Sequence, residues 1–257
     1  MGWIFPSKAS ALLAALLLAA AARPAPARAG NKADAFEGKI QPISGQLYRK
    51  AGRFELTPLV SLSVNDAFFS KRFGGLKATY HLGEFWSVSA AYATGATTRT
   101  GSAVVCPANQ GCHPASAAEL YQVPGRLRSV AGLEVAWAPI YGKLSVLAER
   151  VAHFDLSLVA GADLVSHDRV LSADDAVRLG LVPARASTVG GHVGLGARLF
   201  LSEAVALRLE FKDLVYQVNV PNRAGSGLGA ADIQHQLFTE LGVSVFFPFT
   251  ARAERAP

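Results

Sequence analysis

Residues 205–212 read Val-Ala-Leu-Arg-Leu-Glu-Phe-Lys, an alternation of apolar side chains with small or charged ones. Successive side chains of a β-strand point to opposite faces of the sheet, so this stretch predicts a strand with two unlike faces. One face is wholly apolar, and the other carries Arg208, Glu210 and Lys212. The fold must therefore give the apolar and the charged face separate surroundings.

The same period of two recurs along the chain and predicts eight strands, which makes the protein all-β. The strands are expected at 53–65, 71–82, 85–93, 128–138, 153–164, 189–200, 204–217 and 233–247. Short or medium turns on one side alternate with mostly long loops on the other. The turns are expected at 83–84, 139–152 and 201–203, and the loops at 66–70, 94–127, 165–188 and 218–232.

Short turns at one rim and long loops at the other are typical of bacterial outer-membrane barrels. The sequence therefore predicts an eight-stranded antiparallel up-and-down transmembrane β-barrel, with both termini on the short-turn, periplasmic side. Pro58 removes one ladder donor, so we expect a local bulge there.

A soluble sandwich or lipocalin would also alternate, and the aromatic residues discriminate between the alternatives. Six aromatic side chains fall by parity on the apolar face at the periplasmic strand ends: Phe54, Tyr80, Trp86, Trp137, Phe154 and Phe247. A membrane interface favours such a girdle, whereas a water-soluble barrel would bury its apolar face inside. The membrane barrel is the favoured interpretation.

The chain ends and composition place this barrel after an export signal. Lys8 precedes an apolar run, and Ala27-Arg28-Ala29 has the spacing of a cleavage site. We expect a signal peptide at 1–29, a loose periplasmic leader at 30–52, the barrel at 53–249 and a tail at 250–257. Lys50, in the leader, is not expected to support the barrel. Cleavage leaves a net charge of +3 from 22 basic and 19 acidic residues, too little to indicate nucleic-acid binding.

Ten charged residues fall on the polar face and are expected to point into the lumen. They are Arg53, Glu55, Lys77, Glu134, Asp155, Arg198, Arg208, Glu210, Lys212 and Glu240. Isolated buried charges are costly, and side chains fill the interior of an eight-stranded barrel. A plug of paired charges is therefore expected, with Gly194 and Gly196 giving room to long arginines; a narrow channel is the alternative.

The remaining candidate sites are few. Cys106 and Cys112 lie in the longest loop, and export to an oxidising compartment predicts a disulfide between them. The six histidines form no metal-binding spacing, and we expect no cofactor, no metal and no catalytic residues. We also find no polar cluster on the lipid-facing positions, where a lipid-modifying enzyme would need one, so such an enzyme is a weaker alternative.

The last strand resembles the insertion signal that the outer-membrane assembly machinery reads, since alternating apolar residues close on Phe247 and Phe249. Residues 53–249 as a whole resemble small outer-membrane barrels of the OmpA/OmpX type, and most of all those of myxobacteria. The stretches that carry this resemblance are Arg53–Pro58, Val64–Phe69, Tyr141–Leu144 and His153–Asp155. It implies an outer-membrane location and eight strands, but no biochemical activity.

These observations together predict an integral outer-membrane protein with a structural or surface-interaction role. Its expected partners are outer-membrane lipid, the assembly machinery during biogenesis and a surface ligand that the long loops contact. The protein is expected to be a monomer.

The terminal aromatic residues generate a first prediction. Phe247→Ala combined with Phe249→Ala should lower the amount of protein in the outer membrane several-fold, because the assembly machinery loses the residues that it reads. Immunoblots of separated membranes measure this amount, and Phe68→Ala, in a predicted loop, is the control. Unchanged levels would show that another element carries the signal.

Overall fold

A computed structural model describes residues 48–64, 66–106, 111–146, 150–221 and 229–249. The predicted signal peptide, the leader up to residue 47 and the tail at 250–257 lie outside these residues. No helix within the described residues is long and apolar enough to cross a membrane.

The described residues form an eight-stranded antiparallel barrel that is closed, as the sequence predicts. Each strand pairs with its neighbour in sequence, and the last pairs with the first from Phe54 opposite Phe247 to Val64 opposite Leu237. The strands are β1 (Phe54–Val64), β2 (Phe69–His81), β3 (Trp86–Arg99), β4 (Leu127–Val146), β5 (Arg150–Asp168), β6 (Arg185–Phe200), β7 (Val205–Val220) and β8 (Ala230–Phe247).

The connection predicted at 139–152 is wrong, because both of its flanking strands continue through it. Ile140 pairs with Leu156 and Lys143 with His153, after a register shift that follows Trp137. Pro139 lies within this shift and has no N–H to donate, so it interrupts the alternation without ending the strand. The β4–β5 hairpin is longer than the sequence pattern indicates.

The bulge expected at Pro58 is also wrong. Leu56 pairs with Val245 and Leu59 with Gly242, so the β1–β8 register is the same on both sides of the proline. On its other edge Pro58 lies opposite Leu76 of β2. The barrel accommodates the missing donor without an extra residue.

The outer surface is apolar and the middle of the interior is charged, the reverse of a water-soluble protein. Outward-facing Phe54, Trp86 and Trp137 are 61%, 51% and 41% exposed, whereas inward-facing Lys77 is fully buried. At the periplasmic end the rings of Phe54 and Tyr80 lie 4.8 Å apart and those of Trp86 and Trp137 6.1 Å apart. Such a surface with an aromatic girdle matches a bilayer.

The loop between β3 and β4 carries additional structure at the extracellular end. Cys106 and Cys112 are joined by a disulfide with an S–S distance of 2.02 Å. A two-residue ribbon, Val104–Val105 with His113–Pro114, leads into a short helix, α1 (Ala117–Leu120). The β5–β6 loop contains a π-helical turn, Asp174–Arg178, that packs against α1.

Candidate functional site

The centre of the barrel holds a dense cluster of ion pairs between strands that are distant in sequence. Lys77 Nζ lies 2.6 Å from Glu210 and 3.1 Å from Glu134. Lys212 Nζ contacts the same two carboxylates at 3.0 and 2.8 Å, and Glu240 at 2.9 Å. Each cation thus faces several acids, and each acid several cations, which offsets the cost of burying them.

The ion pairs continue from this cluster towards the periplasm. Arg208 pairs with Glu210 and reaches down to Glu55 Oε1 at 3.2 Å. Arg198 connects Glu55 to Asp155, with N–O distances of 3.0 Å to each. Glu55 therefore joins two arginines from different strands, and the charges form one continuous chain.

Nine of the ten sequence-predicted lumen charges belong to this chain, and Arg53 does not. Its guanidinium donates to the backbone carbonyl oxygens of Arg49, Glu203 and Pro248 at the periplasmic mouth. It also lies 5.0 Å from the ring centroid of Phe246. Because Arg53 immediately precedes β1, it lies at the rim, where carbonyls of the neighbouring turns come within reach.

The expectation that Lys50 does not support the barrel is wrong. Lys50 is only 2% exposed, and its ammonium donates to Asp155 at 2.6 Å. Burial, opposed by Asp155, lowers the pKa of Lys50. Tyr48, two residues earlier, stacks on Phe200 with ring centroids 5.3 Å apart. The end of the predicted leader thus closes the periplasmic mouth.

At the extracellular end of this series of ion pairs, two further groups take part that are not among the ten predicted lumen charges. His192 Nδ1 lies 2.6 Å from Asp163, and its Nε2 lies 3.2 Å from Glu134. A neutral imidazole carries one N–H, so only the protonated ring donates to both acids. Asp163 has the inward parity of Asp155 in the same strand, and extending that parity would have found it.

Two small residues make room for the cluster, as the sequence predicts, although their neighbours are different. A Cβ on Gly194 would lie 3.1 Å from Lys212, and a Cβ on Gly196 would lie 2.5 Å from Ser157 and 3.5 Å from Glu210. Lys212 and Glu210, not arginines, therefore use the space.

Apolar layers flank the charged cluster at both ends. Parity with Glu240 places Phe238 and Phe246 on the inner face, but the sequence analysis counted only the charged residues of that face. The periplasmic layer consists of Phe200, Ala206 and Phe246 with Tyr48 and Tyr141. The extracellular layer is larger and consists of Phe73, Leu127, Val165, Val170, Leu214, Tyr216, Val218 and Phe238. These apolar residues pack against one another at the two ends of the interior.

One ion pair faces outward, contrary to the expectation of no polar cluster on the lipid side. His235 Nδ1 lies 2.9 Å from Asp213, and both side chains are partly exposed. Asp213 is eight residues from the start of β7, about 20 Å along the axis of a barrel with tilted strands. That height is near the outer edge of the apolar band, where a charge costs at most about 1 kcal/mol.

These features define the class of protein. A closed, even-numbered antiparallel barrel with a lipid-facing apolar surface and a charged interior is an integral outer-membrane β-barrel protein. In the described residues, no group of three or more His, Cys, Asp or Glu side chains could hold a metal ion.

Three solved structures to which the chain is similar are those of bacterial outer-membrane proteins. The chain is similar to the N-terminal β-barrel domain of Pseudomonas aeruginosa OprF, with a TM-score of 0.44 and 10% identity over 77% of this chain and 98% of that chain. It is similar to OprG of the same organism (TM-score 0.42, 12% identity, 78% and 98% covered). It is also similar to Escherichia coli outer membrane protein W (TM-score 0.40, 12% identity, 77% and 99% covered). No family model and no curated protein matches the chain.

The interior contacts generate a second prediction. Glu134→Ala and Lys50→Ala should each lower the free energy of unfolding, because Glu134 is one of the acids that pair with Lys77 and Lys212, and Lys50 is one of the two cations that pair with Asp155. Losing one partner of a fully buried pair costs about 3–5 kcal/mol, and the partners that remain, such as Arg198 beside Asp155, should make both effects smaller. Urea unfolding in detergent, followed by tryptophan fluorescence, measures both.

Lys143→Ala is the matched control, since Lys143 is an exposed lysine near the same end of the barrel as Lys50. It should change the stability by less than about 0.5 kcal/mol. Equal effects of Lys50→Ala and Lys143→Ala would contradict the closure of the periplasmic mouth by the leader.

Proposed function

We propose that the barrel is a closed membrane anchor that presents its extracellular loops for contact at the cell surface. The single observation that carries this proposal is the filling of the interior by paired charges between two apolar layers. Ions need a continuous hydrated path, and paired charges occupy the middle of the lumen, with the larger apolar layer on their extracellular side and Phe246 beside Glu55 and Arg198 on their periplasmic side. The lumen is therefore a core, and the loops are the part available for interaction.

The charge balance of the central cluster supports this closed state; the buried Lys71, which pairs with Asp66 nearer the extracellular end, and Arg53 at the rim lie outside this cluster. Six carboxylates face five amino or guanidinium groups: Glu55, Glu134, Asp155, Asp163, Glu210 and Glu240 against Lys50, Lys77, Arg198, Arg208 and Lys212. The protonated His192 supplies the sixth positive charge. A neutral, internally paired cluster has little affinity for a passing ion, since each ion would have to displace an existing partner.

In this proposal the protein is a monomeric barrel of the OmpA/OmpX type, inserted by the assembly machinery and surrounded by outer-membrane lipid. It has no enzymatic activity. The outward pair Asp213–His235 is the lipid-facing polar pair in which an enzyme site would be sought. Among the described residues, the hydrogen bond of this pair joins only the carboxylate and the imidazole, with no hydroxyl or thiol that could act as a nucleophile.

A narrow channel is the second candidate, and a cavity in the interior favours it. A space of about 50 Å³ lies between the charged cluster and the extracellular layer, lined by Glu134, Asp163, His192, Lys212 and Phe238 among others. Opening this space to the outside would require the extracellular apolar layer to move.

Planar bilayer recordings test the proposal. The purified wild-type protein should give no steady single-channel steps, because paired charges and apolar layers close the lumen. Phe73→Gly combined with Phe238→Gly removes two large side chains of the extracellular layer, but the charged cluster below should still prevent steady conductance. Steady wild-type steps, with ion selectivity altered by Glu134→Gln, would overturn the closed anchor and establish the channel.

A further inference from the structure

An open pocket lies at the extracellular end of the barrel, between the upper ends of β2 and β3 and the β3–β4 loop. Its volume is about 370 Å³. Two guanidinium groups line it, those of Arg99 and Arg126, together with the hydroxyl-bearing Thr97 and Thr98. No acidic side chain lines the pocket among the described residues.

Both arginines are held in place but keep hydrogen-bonding capacity. Arg99 Nη1 donates to the carbonyl oxygen of Ala115 at 2.6 Å. Arg126 Nε lies 3.1 Å from Asp168, and its guanidinium lies 5.1 Å from the ring centroid of Tyr121. A guanidinium has five N–H donors in a rigid fork, so these contacts leave donors for a further acceptor.

The surroundings of the pocket are positively charged overall. In the described residues of the β3–β4 and β5–β6 loops and the strand ends that flank them, six arginines face four acids: Arg99, Arg126, Arg128, Arg169, Arg178 and Arg185 against Glu119, Asp168, Asp174 and Asp175. Asp66 of the β1–β2 loop is a further acid at this end and pairs with Lys71. Asp168 is shared by Arg126 and Arg128, and Asp174 pairs with Arg178.

Glu119 is the acid nearest to the pocket along the chain, and it is already engaged. Hydrogen bonds from the side chain and backbone of Ser116 lower the pKa of Glu119 and keep it ionised. It also contacts His113 at 3.1 Å. Arginines therefore outnumber acids around the pocket even though Glu119 is charged.

The base of the pocket is apolar and buried. Phe69, Ala115 and Leu120 are 2%, 3% and 5% exposed and pack with Val105 and Val123. A concave site with an apolar base and a few fixed polar groups is typical of small-ligand pockets. The nearby Cys106–Cys112 disulfide and the Arg99–Ala115 hydrogen bond hold the loop that forms this base.

The height of the pocket places it above the lipid. Thr98 is six residues beyond Tyr92, the last large apolar side chain that faces outward on β3. Six residues of a tilted strand rise about 15 Å along the barrel axis. The pocket therefore lies where sugars of the outer leaflet, or molecules from outside the cell, are within reach.

We propose that this pocket binds an acidic saccharide, with Arg99 and Arg126 holding its phosphate, sulfate or carboxylate group. Arginine forks match the geometry of these anions and form charge-assisted hydrogen bonds with them. The apolar base packs against the sugar ring. The hydroxyls of Thr97 and Thr98 donate to the backbone carbonyls of Leu127 and Ser70, so toward a saccharide they act as acceptors. The inference rests on the proposed surface-interaction role and names the ligand class for it.

Binding to a sulfated saccharide tests the inference on the whole mature chain in nanodiscs of neutral phosphatidylcholine. The probe is a fluorescent dextran sulfate tetrasaccharide, and dextran of the same length is the neutral comparison. Fluorescence anisotropy should show binding of the sulfated probe and at least tenfold weaker binding of dextran. Arg99→Gln combined with Arg126→Gln should weaken binding of the sulfated probe at least tenfold.

Arg178→Gln is the matched control, because Arg178 is an exposed arginine of the adjoining loop that does not line the pocket. It should change the affinity less than twofold, and Arg99→Lys should keep part of it because the charge remains. Slower migration on a denaturing gel after boiling than before shows that each variant is folded. Equal losses in the control and the double variant, equal binding of dextran, or no binding would overturn the inference.

Addition of lipopolysaccharide to the nanodiscs identifies the source of the saccharide. If lipopolysaccharide in the nanodisc competes with the soluble probe, the ligand of the pocket is a glycolipid of the same membrane. If it does not compete, the ligand is a soluble or foreign glycan. Failure of the inference is distinguishable from failure of the proposed function. A protein that binds no probe but gives no steady conductance keeps its closed anchor and loses only this site.

Discussion

The ion pairs of Lys77 with Glu134 and Glu210 determine how the rest of the barrel must be arranged. A lysine facing lipid at the middle of the membrane costs about 2–4 kcal/mol, so the charged face of every strand must point inward. A slip of one residue in register would turn these charges to the lipid and the apolar residues to the interior. The pairing of charges and the apolar exterior are thus one constraint.

All eight strands could be predicted from the sequence, because this constraint makes apolar and polar residues alternate along each strand, as at Val205–Lys212. The prediction failed where this alternation is interrupted or weak. Pro139 and the register shift beside it concealed the continuation of β4 and β5. Residues 94–99 extend β3 with small and polar side chains, which carry no alternation of hydrophobicity.

The interior could be predicted in composition but not in arrangement. Parity says which face a residue occupies, so nine of the ten predicted charges meet in the lumen, but it gives neither height nor neighbours. Arg53 therefore lies at the rim with carbonyl partners, and Lys50 enters the barrel from outside any strand. The apolar layers around Phe73 and Phe246 were missed because a polar interior was assumed along the whole strand.

A double-mutant cycle between Lys77 and Glu210 tests the central claim that paired interior charges hold the barrel. Their side chains lie 2.6 Å apart, and neither is exposed. Lys77→Met and Glu210→Gln should each destabilise the protein, and the double variant should lose less than the two effects together, with a coupling above about 1 kcal/mol. Additive effects within about 0.5 kcal/mol would contradict the claim.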